Sequence, residues 1–230
     1  YTEIVIAENT WAAIKGKKAL SAIWKTESQI EPTEYHDKSS TAILEGKNLN
    51  INREDGAVEN AFSIADKVIE KTYHSPFLPH NCMEPMNFYA NVTAEKIHLV
   101  GPVQTPEYAA KVVADLLDFD LDKIHLEMTR MGGGFGRRLY GDFVYEAAEI
   151  SNFIRKPVKL VSTREDDMTT GIYKPAVKYR IKAALKGGKV TGYHLIEAAI
   201  GSNMYGSIPN FFPAGCIPNY KVETGNYKSN

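Results

Sequence analysis

Apolar and polar residues alternate most sharply over residues 177–185. Val177, Tyr179, Ile181, Ala183 and Leu185 are interleaved with Lys178, Arg180 and Lys182, the period that predicts a half-buried strand. Gly187-Gly188 follows and can supply the positive φ angles of a hairpin turn, with residues 190–200 returning as the partner strand. Earlier in the chain the spacing is helical. Asn9 or Thr10 can cap a helix over residues 11–23 that carries Trp11, Ala12, Leu20, Ile23 and Trp24, after a strand end at residues 4–7. Phe62, Ile64, Ala65, Val68 and Ile69 predict an amphipathic helix over 61–73.

A proline-rich stretch then resolves into strands over 88–92 and 96–100. Thr105-Pro106 opens a helix to about residue 117, with Thr as N-cap and Pro at the position where a missing N–H costs nothing. A strand over 124–131, a glycine turn over 132–136, a helix from Asp142 to 153 and a strand over 158–162 complete the pattern. Strand, glycine loop, helix and strand in that order predict a mixed α/β fold. Residues 26–57 are polar and read as a linker with at most short structure; the tail from Gly201 shows no period and no closing element.

Composition narrows the class. Of 230 residues 43% are hydrophobic and 24% charged, enough apolar content for a packed core and too much for a disordered chain. A net charge of −1 gives no general pull toward nucleic acid or an anionic membrane. No run of apolar residues is long enough to span a membrane. Cys82 and Cys216 are far apart and in no CxxC pair, so a single long-range disulfide is the most they could form. Residue 1 is Tyr and a strand-like run begins at once, which suggests an excised or processed piece. Its compartment, cytoplasm or periplasm, is therefore left open.

The sharpest candidate for chemistry is the run Met131-Gly132-Gly133-Gly134-Phe135-Gly136-Arg137-Arg138. Clustered glycines let backbone approach a ligand and turn N–H groups into one concavity suited to an oxyanion, phosphate or metal-oxo group. Arg137 and Arg138 add forked, charged donors. The run is neither a phosphate-binding Gly-Lys-Ser/Thr loop nor a dinucleotide fingerprint, because Arg137 stands where the third glycine would be. His80, Cys82 and Glu84 offer too few ligand types for a metal centre and better suit a rigid lining segment. His36, His74, His98, His125 and His194 are scattered and read as structural or exposed, and the acidic run 165–167 as a solvated loop with helix-capping acids. Gln104, just before the capped helix, is uninformative by itself.

These stretches together resemble a known family. NTWAAIKGKKAL at 9–20, HNCMEPMN at 80–87, VGPVQTPEYAAKVVA at 100–114 and MGGGFGRRLYGDFVYEAAEIS at 131–151 resemble the molybdenum-binding large subunit of the xanthine oxidase family, the molybdenum hydroxylases. RKPVKLVSTREDDM at 155–168 continues the match, and the branch it looks most like is the isoquinoline 1-oxidoreductase large (beta) subunits with related aldehyde dehydrogenases.

The resemblance implies an enzyme that hydroxylates an N-heterocycle or oxidises an aldehyde with water as oxygen source. It implies a molybdopterin cofactor, in the cytosine dinucleotide form, whose dithiolene holds the metal. Gln104 would hydrogen-bond an oxo ligand, and Gly132, Gly133, Gly134, Phe135, Gly136 and Arg137 would line the cofactor. His80, Met83, Glu84 and Pro85 match a segment of the cofactor domain with no catalytic role implied.

The expected partners are an iron–sulfur small subunit carrying [2Fe–2S] clusters, the rest of the same large subunit, and a small-molecule substrate. The implied domains are the end of a hammerhead-like α/β domain at 1–25, the linker at 26–57, and the first part of the molybdopterin-binding domain at 58–230. The family's general base is a glutamate near the C-terminal end of the subunit, so Glu84, Glu146 and Glu149 are not promoted to that role; no metal ligand is expected, no cofactor is expected bound to this chain alone, and the chain alone is expected to be inactive. A second reading is a non-catalytic scaffold or interaction module with a cofactor-like glycine loop.

Overall fold

A computed structural model describes residues 3–23, 25, 31–201, 210 and 212–229. In chain order the elements are α1 (Thr10–Ala19), α2 (Thr33–Leu44), β1 (Asn50–Asp55), α3 (Val58–Ser63), β2 (Lys67–Ser75), β3 (Asn87–Val92), β4 (Ile97–Gly101), α4 (Pro106–Leu117), β5 (Ile124–Met128), α5 (Asp142–Ile154), β6 (Val158–Val161), α6 (Arg164–Thr169), β7 (Val177–Lys186), β8 (Lys189–Ile200) and β9 (Asn219–Tyr227). The expected mixed α/β class is borne out. The chain divides into two units, Tyr1–Trp24 with Pro79–Tyr173, and Lys25–Leu78 with Lys174–Asn230.

The first unit is built on a four-stranded sheet in the order β5-β4-β3-β6. β3 pairs antiparallel with β4 and β6, while β4 and β5 run parallel, joined by the crossover through α4. Every second residue of β3 and β4 is buried, so Phe88, Ala90, Val92, Ile97 and Leu99 face Val113 of α4 and Phe143, Val144 and Ala147 of α5. The helix starts follow local chemistry. Asn9 accepts the Ala12 N–H and caps α1, and Thr163 with Asp166 forms a capping box on α6. Thr105 precedes Pro106 of α4 as expected, but its hydroxyl donates to the Leu139 carbonyl at 2.7 Å rather than capping the helix. α5 starts at Asp142, one residue earlier than a cap at Asp142 would give: Gly141 in the left-handed region is its N-cap and Asp142 is in its first turn.

The second unit is a five-stranded sheet ordered β1-β9-β8-β7-β2. β7 and β8 form the expected hairpin, turning at Gly187 (φ 56°) and Gly188 (φ 77°). Ile43 and Leu44 of α2 pack on Ile196 and Ala198 of β8, and Tyr220 and Val222 of β9 pack with Leu195.

Several expectations are corrected. Residues 4–7 are in no strand, because no described segment accepts their backbone groups in a ladder. α1 ends at Ala19, and Trp24 lies outside the described residues. Residues 26–57, read as a linker, hold α2 and β1, because Ser40, Ile43 and Leu44 find a sheet to bury against. Residues 58–230, expected as one domain, are divided between the two units.

The helix expected over 61–73 is the short α3 followed by β2, which pairs antiparallel with β7 along its whole length. Val68, Ile69, Thr72 and Tyr73 favour a strand once a partner edge is available, and tertiary pairing overrides the helical spacing. The tail does close: β9 runs parallel to β8 and antiparallel to β1. Both cysteines are free, Cys82 buried and Cys216 exposed, so the single disulfide left open by the sequence is absent.

Candidate functional site

The glycine loop lies in the first unit, between β5 and α5. Its backbone visits conformations closed to most side chains: φ is 110° at Gly133, 52° at Phe135 and 95° at Gly136. Space is short as well. A Cβ on Gly132 would stand 2.6 Å from the Glu84 Cβ, and one on Gly134 would stand 2.6 Å from Gln104 Oε1. At Gly136 the nearest atom would be His80 Nε2 at 3.5 Å, so the constraint there is the dihedral rather than a clash. Phe135 is strained in the left-handed region and yet 68% exposed. Strain at an exposed aromatic residue marks a position held for something other than packing.

Side chains from three segments fix this loop. Gln104 Oε1 accepts the N–H groups of Gly136 at 3.1 Å and Arg138 at 3.3 Å. Its amide is thereby oriented with the oxygen on the loop and the NH2 as the group available to a ligand. Glu84 Oε2 accepts the Gly132 N–H at 2.7 Å, and Oε1 accepts from Asn87 at 2.9 Å. Burial pushes the Glu84 carboxyl up, but the Gly132 N–H, the Asn87 amide and the Arg138 charge together hold it below the usual carboxylate range.

Arg138 is completely buried and donates to the carbonyls of Gly133 (2.9 Å), Pro102 (3.2 Å) and Glu84 (3.0 Å) as well as to the Glu84 carboxylate (3.3 Å). Arg137 forms a bidentate pair with Asp142 at 2.6 and 2.8 Å. The Arg138 guanidinium, read from the sequence as a donor to a ligand, is thus occupied by the protein itself, and the two terminal nitrogens of Arg137 are held by Asp142, while its buried Nε has no partner among the described residues. Cys82 lies buried with its thiol against the Gly134 carbonyl at 3.4 Å, and burial pushes its pKa up, away from a thiolate.

These contacts leave one set of groups unused. Among the described residues, the N–H groups of Gly133, Gly134 and Phe135 have no hydrogen-bond partner. Three consecutive backbone donors beside an oriented amide NH2 suit a ligand rich in oxygen acceptors.

A family model, the molybdopterin cofactor-binding domain, matches residues 36–222. The chain belongs to that family. The resemblance to the molybdenum-binding subunits of the xanthine oxidase family is therefore borne out, and the matched domain begins inside the stretch expected as a linker.

Over 185 residues the chain is 31% identical to the membrane-bound aldehyde dehydrogenase [pyrroloquinoline-quinone] of Gluconacetobacter polyoxogenes, covering 79% of this chain and 24% of that protein. Over 113 residues it is 33% identical to isoquinoline 1-oxidoreductase subunit beta of Brevundimonas diminuta, covering 49% of this chain and 14% of that one. The fold matches that of quinoline 2-oxidoreductase from Pseudomonas putida 86 with a TM-score of 0.68 at 15% identity, over 96% of this chain and 31% of that chain. The chain thus spans less than a third of each of these proteins.

The structure brings Gln104 and all of 132–137 into one place, as the sequence led one to expect. It also shows what sequence reasoning missed. Glu84 and Arg138 are the two ends of the brace that shapes the loop, although Arg138 was read as a donor to a ligand and Glu84 was set aside as lining. The available signal was weak: opposite charges in two irregular, glycine- or proline-rich segments 54 residues apart. The acidic run 165–167 is not a loop but half of the short helix α6, with Asp166 capping it as expected and Asp167 buried and paired to Arg164.

Proposed function

We propose that this chain is part of the catalytic subunit of a molybdenum hydroxylase, with the glycine loop and Gln104 holding molybdopterin. The observation that carries the reading is the set of unused donors: the N–H groups of Gly133, Gly134 and Phe135 beside the Gln104 amide, in a domain matched to the molybdopterin cofactor-binding family. The residues fit such a group. They offer neutral donors for its oxygens and no thiolate or histidine cluster at the loop, as suits a metal held by its own pterin.

When bound, the group supplies a two-electron oxidation in which water provides the added oxygen. The chain's own part is placement. Gln104 donates its NH2 to an oxygen of the group. Gly133, Gly134 and Phe135 donate backbone N–H groups. Arg137 contributes its backbone position, since its side chain is tied to Asp142. Glu84 is held as a carboxylate of low basicity and serves the loop, so the general base comes from outside the residues of this chain. Neither Glu146 nor Glu149 is assigned that role.

The substrate is an N-heterocycle of the isoquinoline type or an aldehyde; likeness to an aldehyde dehydrogenase and to an isoquinoline oxidoreductase supports both. The cofactor is the cytosine dinucleotide form, and electrons leave through an iron–sulfur partner subunit.

The test uses the full-length subunit. Gln104→Glu keeps an acceptor oxygen for the Gly136 and Arg138 N–H groups but removes the donor. Molybdenum per subunit is expected to stay near that of the parent, while turnover of isoquinoline or an aldehyde falls about 10²–10³-fold, the range for losing one oxyanion donor. A parent without molybdenum would support the scaffold reading instead. A molybdenum-loaded variant with normal turnover would reject the role given to Gln104.

A further inference from the structure

The face of the four-stranded sheet away from its helices carries a cluster that the function above does not use. The parallel register of β4 and β5 sets His98 beside His125 and Val100 beside Glu127. Strand alternation sends Ile97 and Leu99 into the core and leaves His98, His125 and Glu127 together on the opposite face. His98 Nε2 lies 2.8 Å and His125 Nε2 3.1 Å from the same oxygen, Glu127 Oε1. The ligand atoms of all three residues fall within 4.8 Å of one another, and the two imidazole rings are 5.4 Å apart. The Tyr89 ring flanks His98 at 5.9 Å.

We propose that His98, His125 and Glu127 form a binding site for a divalent transition-metal ion of the zinc type. Two imidazoles and one carboxylate are the donor set of three-ligand zinc sites, with a fourth position open to water. Tetrahedral ligation at zinc–nitrogen and zinc–oxygen distances of about 2.0–2.2 Å places donor atoms about 3.3–3.6 Å apart. The two separations from the Glu127 oxygen, 2.8 and 3.1 Å, need to widen by about 0.2–0.8 Å, and the exposed side chains of His125 and Glu127 can supply that.

The strands hold the Cα positions, so little ordering is left to ion binding. Imidazole donors favour zinc, copper or nickel over calcium and magnesium, which prefer oxygen. The two histidines already converge on the carboxylate.

Titration of the chelator-treated chain with Zn²⁺ by calorimetry tests the site, with Co²⁺ absorption as a reporter of ligand geometry. One equivalent is expected to bind, with intense visible Co²⁺ bands showing a low-coordinate site. The double variant His98→Ala/His125→Ala should raise the dissociation constant by at least about tenfold, because two of three ligands are lost. The double variant His36→Ala/His194→Ala, which alters histidines of the second unit, should leave it unchanged. Circular dichroism checks folding. If the alanine variant fails to fold, Glu127→Gln decides, since it keeps the side-chain shape and should still weaken binding several-fold. A parent that takes up no zinc at about 1 mM, or variants at 98, 125 or 127 that bind like the parent, would overturn the proposal.

Discussion

Arg138 and Glu197 are both completely buried charged residues, one in each unit. Arg138 sits in irregular backbone, and its fork satisfies three main-chain carbonyls and one carboxylate from separate segments. Glu197 sits on β8, where its backbone is already laddered to Tyr179 of β7 and Thr224 of β9. Its side chain meets Tyr179, whose hydroxyl is pushed up to about 12 by burial first and then by the Glu197 charge and hydrogen bond. A sheet closes its own hydrogen-bond account, so its buried charge is a local matter. A loop that leaves some donors free for a ligand must have its other polar groups pinned by side chains, and there the buried charge carries the architecture.

The largest effect is expected where that difference is removed. Arg138→Ala leaves the Gly133, Pro102 and Glu84 carbonyls and a carboxylate without their donor, and should cost about 3–5 kcal/mol in urea unfolding. Glu197→Gln keeps the shape within the ladder and should stay within about 1 kcal/mol of the parent. Equal losses would break the comparison.

The glycines sharpen it further. Gly136→Val forces a β-branched residue to φ 95° and should cost about 1–3 kcal/mol, with molybdenum per subunit of the full-length protein falling. Gly187→Val, at a hairpin with no atom near the added Cβ, should cost about 1 kcal/mol and leave metal content unchanged. Elemental analysis beside a thermal melt separates the two; equal molybdenum in both variants would deny the loop its special standing.

The smallest effect is a pH dependence. Glu84 has a folded pKa below its ordinary value of 4.5, so its stabilisation is fully present above about 4.5 and is lost as pH falls through the folded value. Its side chain is one-third exposed, so the contribution is small, under about 1 kcal/mol. Glu84→Gln should therefore flatten the loss of stability between about pH 5 and about pH 3. An unchanged acid limb would show that the brace rests on Arg138 and the carbonyls alone.

Much of both units was legible from residue order. The β7–β8 hairpin followed from strict alternation and Gly187-Gly188, and α4 from Thr105-Pro106 and its apolar stripe. The site was half legible: clustered glycines announce a backbone that must turn and approach something, so 132–136 stood out. β2 and β9 did not stand out. β2 is an edge strand whose residues are nearly all exposed, so no alternation marks it, and β9 forms only because β1 and β8 offer it two edges.

By itself the sequence determined what depends on near neighbours: turn chemistry at Gly187-Gly188, the cap at Asn9, the alternation of β3, β4 and β7, and the glycine motif with the family it resembles. Only the tertiary structure decided that Arg138 is a brace rather than a donor to a ligand, that Gln104 turns its oxygen to the loop, and that His98 and His125 meet on one carboxylate. The reason is physical. Local propensities act through a few bonds, whereas pairing across a crossover or between loops depends on which backbone groups the fold leaves without partners.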